Sequence, residues 1–202
     1  MHIPTADTTE IEVLSFDEAL SSAARSDEYD VSKWLYAPNF YSEYRYILGT
    51  RGKTPLICVG INPSTAKPDD LDNTLKSVQR IAAGNGFDSF LMFNVYAQRA
   101  TRPDDMERQC NLRLHEENMK AWRYLHTLAK EPADWAAWGA IIEKRKYLPR
   151  CVADMLSISR EYDARWFCAG AISKKGHPHH PLYLRKDEKL MPFNTESYLS
   201  KL

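Results

Sequence analysis

The chain contains the run Leu56-Ile57-Cys58-Val59-Gly60-Ile61-Asn62-Pro63-Ser64-Thr65-Ala66, in which apolar and β-branched residues stop abruptly at a polar Asn-Pro-Ser segment. This pattern predicts a buried strand that ends in a rigid polar loop. Asp70 and Asp72 follow, and Asp72 stands where it can cap the next helix. Because ligands of open α/β sheets bind at the carboxyl ends of strands, this loop is the first place to expect a functional site.

Three further apolar runs predict buried strands, each separated from the next by a helical pattern. The strands cover residues 89–95, 133–138 and 165–169, and helices are expected at 72–83, from about 104 to 128, and up to about 156. Strands that alternate with helices form βαβ units, which place a parallel sheet between helical layers. The sequence therefore predicts a three-layer α/β fold with a central, mostly parallel four-stranded sheet flanked by helices.

An aromatic-rich region precedes the first parallel strand. Within it, Tyr44–Leu48 alternates loosely and Gly49–Lys53 is turn-like, which predicts an N-terminal hairpin strand antiparallel to Leu56–Ile61. A chain of 202 residues is long enough for one well-formed core. We expect a single α/β domain over residues 1–202, with an N-terminal extension at 1–43, a core at 44–184 and a C-terminal tail at 185–202.

The composition of the chain limits the classes of protein to which it can belong. Lys and Arg total 27, as do Asp and Glu, so the formal net charge is zero and gives no overall basic bias toward nucleic acid; a local basic patch is still compatible with it. No apolar stretch approaches the roughly 20 residues of a membrane span. Residues 1–10 lack the basic-then-apolar pattern of a secretory signal. We therefore expect a cytoplasmic protein with no membrane partner.

The four cysteines, Cys58, Cys110, Cys151 and Cys168, are widely spaced and form no C-x-x-C pair. Cys58 and Cys168 lie in predicted strands, so we expect buried free thiols. The spacing disfavours disulfides, a zinc site and an iron–sulfur cluster, and no cofactor is expected. The histidines of the segment His177–His180 leave a metal site with the acidic loop as a less favoured alternative.

Polar residues follow each of the four predicted parallel strands. The strand endings are Asn62-Pro63-Ser64, Asn94, Trp138-Gly139 and, after a short loop, a His-Pro segment at 177–181. Because parallel strands point the same way, these endings should converge at one edge of the sheet. The convergence predicts a ligand pocket.

These motifs resemble, in order and spacing, those of the uracil-DNA glycosylase superfamily over about residues 56–184. Gly60–Ser64 is similar to its first motif, and Asn94 to the strand-end Asn that reads a base edge in several branches. Trp138-Gly139 and the His-Pro segment resemble its strand-end Trp-Gly and its second motif. The chain departs at Ser64, where the superfamily usually has Gly or Tyr, and it lacks the Ser-Pro of the second motif that touches DNA.

A closer resemblance, over most of the chain, is to a bacterial and phage family known as domain of unknown function 1643. The matching motifs are Asn62–Ala66, Asp72-Asn73-Thr74, Asn94, Trp138-Gly139 and Gly176–Tyr183. This resemblance implies a fold more than an activity, because fold does not fix function.

N-glycosidic cleavage passes through an oxocarbenium-like sugar while negative charge moves onto the departing base. The candidate catalytic residues follow from these needs. Asn62 is suited to orient a water, and Asp70 or Asp72 to act as a base or to stabilise the cation. His177 or His180 is suited to donate a hydrogen bond to the leaving base.

The remaining candidates would bind the substrate. An amide such as Asn94 offers a donor and an acceptor to a base edge, and Tyr96 or Trp138 offers a ring to stack on it. The substrate-binding candidates are Gly60, Ile61, Pro63, Ser64, Asn94, Tyr96, Arg99, Trp138, His177 and Tyr183, and the phosphate-binding candidates are Lys174, Lys175 and Arg185.

Each candidate also has a structural interpretation. Asp72 is suited to cap a helix, Asn94 to bind backbone in its loop, and Trp138 to fill the core. Arg99 and the basic residues near 174–185 are as well suited to solvated or salt-bridged roles.

Three functions stay open from the sequence. The first is a glycosylase-like enzyme acting on a nucleobase in DNA or in a nucleotide. The second is a nucleobase- or nucleotide-binding module that lacks the hydrolytic step. The third, a protein-interaction domain without a working pocket, is least favoured because the polar strand endings converge.

Overall fold

A computed structural model describes residues 1–202, in which helices cover both faces of one seven-stranded mixed sheet. The strands are β1 (Trp34–Ala37), β2 (Ile47–Thr50), β3 (Pro55–Gly60), β4 (Ser89–Asn94), β5 (Ala133–Ala136), β6 (Arg165–Ala169) and β7 (Leu190–Pro192). The helices are α1 (Phe16–Ser22), α2 (Asn73–Gly84), α3 (Leu112–His126), α4 (Leu148–Glu161) and α5 (Thr195–Leu199). The α/β class predicted from the sequence is confirmed.

The strand order is β1-β2-β4-β3-β5-β6-β7. The four predicted strands, β3, β4, β5 and β6, are mutually parallel and form the centre of the sheet. The prediction of a four-stranded sheet was wrong in extent, because β1, β2 and β7 add antiparallel strands at the two edges. These edge strands are three or four residues long, too short to stand out as periodic runs in the sequence.

The predicted N-terminal hairpin is also wrong. The second strand, β2, pairs with β1 and β4, with Leu48 opposite Met92, and does not pair with β3. Because β3 has parallel neighbours on both sides, it offers no free edge to the strand that precedes it in the chain.

Both faces of the central strands are buried, which explains why their sequences are continuous apolar runs. Ile57 and Val59 pack in the larger core with α1, α3 and α4. Leu56 and Cys58 point to the opposite face and pack with α2. The side chains therefore alternate between two cores, as expected for the two-residue period of a strand. Cys58 and Cys168 are buried free thiols, as predicted.

Helix α2 begins where the sequence predicts, because the Asp72 Oδ1 accepts a hydrogen bond from the Leu75 N–H at 2.9 Å. Helix α3 begins later than predicted. Residues 103–105 form a separate 3-10 turn, and the side chain of Asn111 caps α3 by accepting from the Leu114 N–H at 3.2 Å. None of the helices is long and apolar enough to cross a membrane.

The connections around β3 place a crevice at the carboxyl edge of the sheet. From β3 the chain runs through α2 to β4 on one side, and from β4 it returns through α3 to β5 on the other side of β3. The two helices pack on opposite faces. Such a reversal leaves a crevice outside the carboxyl ends of the two strands that flank it, here β3 and β5, and ligands of open α/β sheets bind in such crevices.

Candidate functional site

A cavity of about 880 Å³ lies at this carboxyl edge. Its walls come from the loops after β3, β4, β5 and β6 and from the first turn of α2. Cavities that hold small ligands measure roughly 300–1,000 Å³, so the space is of the right size for a small-molecule ligand.

The structure brings about half of the predicted site residues together. Those lining the cavity are Gly60, Ile61, Asn62, Ser64, Asp72, Asn94, His177, His180 and Tyr183. Those outside its lining are Pro63, Asp70, Tyr96, Arg99, Trp138, Lys174, Lys175 and Arg185. The loops after all four parallel strands contribute, so the predicted convergence of strand endings is seen in the cavity.

Asn94, the last residue of β4, places an unpartnered carboxamide at the cavity. The residue is only 1% exposed, yet neither Oδ1 nor Nδ2 has a hydrogen-bond partner in the chain. Its backbone carbonyl accepts a hydrogen bond from Asn118 Nδ2 at 3.0 Å, which holds the main chain in place. More than nine in ten buried polar groups have a partner, so two free atoms on one side chain are unusual.

Gly60 is paired with Asn94 in the register of β3 and β4. A Cβ at this position would lie 3.0 Å from Asn94 Oδ1 and 2.5 Å from Met92 Cε. The missing side chain therefore leaves the room that the Asn94 carboxamide occupies.

Asn62 holds the loop that follows β3. Its Nδ2 donates to the carbonyl of Ala100 at 2.6 Å and to that of Pro63 at 3.0 Å. Both donors are thus used within the chain, and Oδ1 is the atom left to accept a hydrogen bond from a water or a ligand.

Asp72 is the acidic residue of the cavity wall. One carboxylate oxygen caps α2, as predicted, which leaves the second oxygen for another partner. Asp70 is exposed and lies outside the cavity lining, and its backbone pairs with that of Lys67. Of the two aspartates, only Asp72 is therefore placed to act as a general base in the cavity.

His180 presents a neutral ring to the cavity. Burial lowers the pKa of His180 below its usual range, while the Asp72 carboxylate acts in the opposite direction. Its Nδ1 accepts from the Leu182 N–H at 3.3 Å, so the proton of the neutral ring is on Nε2. Ser77 on α2 donates to the Pro181 carbonyl at 2.8 Å and ties this loop to the helix.

His177, unlike His180, is held by hydrogen bonds from both ring nitrogens to other side chains. Its Nδ1 is hydrogen-bonded to the Tyr198 hydroxyl at 3.0 Å, and its Nε2 lies 3.1 Å from Glu143 Oε1. Lys175 pairs with the same Glu143 at 2.6 Å. Both ring nitrogens of His177 are therefore engaged within the chain, whereas Nε2 of His180 has no partner there. No group of three His, Cys, Asp or Glu side chains is placed to hold a metal ion.

The two aromatic stacking candidates are core residues. Trp138 is fully buried and donates from Nε1 to the Tyr198 hydroxyl at 2.8 Å. Tyr96 is fully buried and donates its hydroxyl to Glu107. Gly139, directly after Trp138, has φ of +64° and lets the chain turn along the cavity wall.

Arg45 lines the cavity and was not predicted from the sequence. It lies between Tyr44 and Tyr46, all three being at most 1% exposed. The sequence signal at this position is an arginine between two tyrosines, which does not by itself indicate a cavity. Burial and repulsion by Arg99 lower the pKa of Arg45 to about 9, so it stays protonated at neutral pH.

Comparison with known families gives one result. No curated protein and no solved structure matches the chain. Residues 45–182 match a family described as a protein of unknown function (DUF1643), and this segment includes β2 to β6 and most of the cavity lining. Because the match covers more than half of the 202 residues, the chain belongs to the DUF1643 family.

Proposed function

We propose that the cavity binds a nucleobase and that the protein hydrolyses the N-glycosidic bond joining that base to a sugar. The observation that carries the proposal is the buried, unpartnered carboxamide of Asn94. A nucleoside or nucleotide is the proposed substrate, and a base within DNA is the polymeric form of the same chemistry.

The Asn94 carboxamide suits a base because it offers a donor and an acceptor side by side. Leaving a buried polar group without a partner costs about 1–3 kcal/mol, and a ligand that supplies both partners removes that cost. Base edges present adjacent donors and acceptors, and Asn pairs with them in a bidentate way. The resemblance of Gly60–Ser64 and Asn94 to glycosylase motifs supports the same assignment.

The hydrolytic step uses groups on the two sides of the proposed base. Asp72 accepts a proton from a water whose oxygen bonds to the anomeric carbon, and Asn62 Oδ1 orients that water. The bond from this carbon to the base nitrogen breaks, and the base leaves as an anion. His180 donates a hydrogen bond from Nε2 to the anion, which then takes a proton from solvent.

Base release tests this proposal. The protein is incubated with the common nucleosides, their monophosphates, and uracil-containing and modified oligonucleotides, and free base is measured by chromatography. We expect release from at least one substrate, and loss of release in Asp72→Asn. Release that is equal in wild type and Asp72→Asn would contradict the hydrolytic mechanism.

For DNA, we propose that Lys174, Lys175 and Arg185 contact the phosphate backbone. All three are exposed and lie on the segment that carries the His-Pro loop. The neutral net charge predicts weak binding that falls as salt rises. An oligonucleotide affinity that is the same at low and high salt would argue against these contacts.

A second candidate function is base or nucleotide binding without hydrolysis. It is favoured because two proposed catalytic side chains already form hydrogen bonds within the chain. Asp72 caps α2, and Asn62 donates to two loop carbonyls. Ligand-induced thermal stabilisation with no base released across the whole panel would favour this function over the enzyme.

A further inference from the structure

Two arginines are buried together behind the loop that follows β3. Arg45 donates from Nη1 to the Ala66 carbonyl at 3.0 Å, and Arg99 donates to the Ser64 carbonyl and, at 3.0 Å, to the Tyr36 hydroxyl. Their exposed fractions are 1% and 0%. The ring of Tyr41 lies 4.2 Å from the Arg99 guanidinium carbon, which shields Arg99 on another side.

The two arginines have no direct carboxylate partner. Neither guanidinium forms an ion pair with a carboxylate, and Nε of each is buried without a partner. Asp72 attracts Arg45 and Glu43 attracts Arg99, but neither carboxylate is hydrogen-bonded to a guanidinium. Burying a charge without a direct partner is unfavourable, so an anionic ligand in the cavity would stabilise the guanidinium of Arg45, which lines it.

The two arginines differ in access to the cavity. Arg45 lines it, whereas Arg99 lies behind the Ser64–Ala66 segment and holds that segment by its carbonyls. Arg45 is therefore the residue that can reach a ligand, and Arg99 is a positioning residue that adds to the local positive potential.

Further hydrogen-bond donors lie on the same wall. Asn73 and Thr74 are the first two residues of α2, where backbone N–H groups have no acceptor within the helix. Thr65 and Thr74, whose side chains carry hydroxyl groups, also line the cavity. Guanidinium, hydroxyl and helix-terminal N–H groups are the donors that bind phosphate in proteins.

We propose that the cavity binds a phosphorylated ligand, with Arg45 and the first turn of α2 holding the phosphate. This inference rests on the proposed function for its base half, and it narrows the substrate class to nucleotides that carry a terminal phosphate. The phosphate site is internal to the cavity and distinct from the exposed residues Lys174, Lys175 and Arg185.

Binding by the wild-type protein tests the inference without any variant. Isothermal titration compares each common nucleoside with its 5′-monophosphate, and inorganic phosphate is titrated alone. We expect the monophosphate to bind about tenfold more tightly than the nucleoside, the effect of one hydrogen bond to a charged group. Equal affinity of nucleoside and monophosphate would overturn the phosphate site while leaving the base site intact.

Variants of Arg45 test whether this residue causes the preference for the monophosphate. In Arg45→Gln, which keeps a donor for the Ala66 carbonyl, the preference for the monophosphate should fall toward one while nucleoside affinity is retained. Lys53→Gln is the matched control, since it removes the same charge from an exposed residue at the opposite edge of the sheet, just before β3. Arg45→Lys keeps the charge and should retain part of the preference, which covers the case in which Arg45→Gln fails to fold.

The outcomes separate the two proposals. Inorganic phosphate that binds wild type but not Arg45→Gln, with no nucleoside binding, would support the anion site and contradict the base site. No binding of phosphate, nucleosides or monophosphates would contradict both. A monophosphate preference that is unchanged in a folded Arg45→Gln protein would overturn the role of Arg45.

Discussion

The His126–Asp134–Ser159 cluster and the cavity both contain buried polar side chains. In the cluster, most of the polar atoms are hydrogen-bonded to other groups of the chain, whereas the cavity contains a side chain with no such partner. His126 Nε2 lies 2.9 Å from Asp134 Oδ2, and Ser159 Oγ donates to the same oxygen at 3.3 Å. His126 Nδ1 lies 2.8 Å from the Trp122 carbonyl, and Asp134 Oδ1 is the unpartnered atom of the cluster. In the cavity, both side-chain atoms of Asn94 are unpartnered.

The difference shows why composition alone is a poor guide to a site. Serine, histidine and aspartate together are typical of hydrolase triads, yet Ser159 contacts the aspartate rather than the histidine. All three are at most 2% exposed, and none lines the cavity. The cluster therefore stabilises the packing of α3 and α4 against β5, whereas the cavity keeps its hydrogen-bonding capacity for a ligand.

Breaking the cluster should have the largest effect on stability. In Asp134→Ala, His126 and Ser159 lose their shared partner, and we expect the free energy of unfolding in urea to fall by about 3–5 kcal/mol. Ligand affinity, measured where the protein is folded, should not change. A loss of stability below about 1 kcal/mol would contradict the structural role of the cluster.

Removing the Asp72 carboxylate should lower the rate of base release and leave the stability of the fold unchanged. Asn caps a helix as well as Asp does, so Asp72→Asn should unfold at the same urea concentration as wild type. Base release should fall about 10²–10⁴-fold, the usual contribution of a general base. A variant that loses stability and keeps its rate would show that Asp72 is a cap and nothing more.

Two Asn→Ala variants compare Asn94, whose side chain has no partner in the chain, with Asn111, whose side chain is hydrogen-bonded within it. Asn94→Ala should weaken binding of the base about tenfold to a hundredfold because two ligand hydrogen bonds are lost. Its stability should change little, since the side chain has no partner in the free protein. Asn111→Ala removes the α3 cap and the hydrogen bond to Thr8 Oγ1, and should cost about 0.5–2 kcal/mol without affecting ligand affinity.

Gly60→Ala tests the space reserved for Asn94. The added Cβ would crowd Asn94 Oδ1 and the flexible end of Met92, so the carboxamide must shift by a few tenths of an ångström. We expect a loss of base affinity of roughly a few-fold, smaller than that of Asn94→Ala. Unchanged affinity in a titration would mean that the orientation of Asn94 is not what selects the ligand.

The smallest effect concerns pH. The pKa of His180 is lower in the folded protein than in the unfolded chain, so between the two values the unfolded chain binds more protons. Stability should therefore be fully present above the unfolded pKa and fall as pH drops through the folded pKa. His180→Gln should flatten this part of the curve of unfolding free energy against pH. An unchanged slope would contradict the depressed pKa.

The centre of the fold could be predicted because it is encoded locally. Runs such as Leu56–Ile61 and Ser89–Val95 are apolar over a strand's length, and Asp72 marks a helix start. The edges could not be predicted in the same way. Which strand pairs with β2 depends on long-range packing, and the local turn at 49–53 gives no information about it.

The site was partly predictable for a related reason. Residues at strand ends, such as Asn62, Asn94 and His180, are placed by topology, so their convergence follows from a parallel sheet. Loop residues a few positions farther on are not constrained in this way. Tyr96 and Trp138 turn into the core, and Arg45 reaches the cavity from a strand-flanking segment whose position the sequence does not reveal.

The central claim is that the Asn94 carboxamide is free in the unbound protein and pairs with a base in the complex. The side-chain amide resonances of Asn94, assigned in ¹⁵N-labelled protein by comparison with Asn94→Ala, report this pairing directly. On titration with the best-binding nucleoside, we predict that the two Nδ2 proton signals shift and their exchange with water slows. Signals from Asn94 that stay in place while other cavity residues shift would contradict the claim.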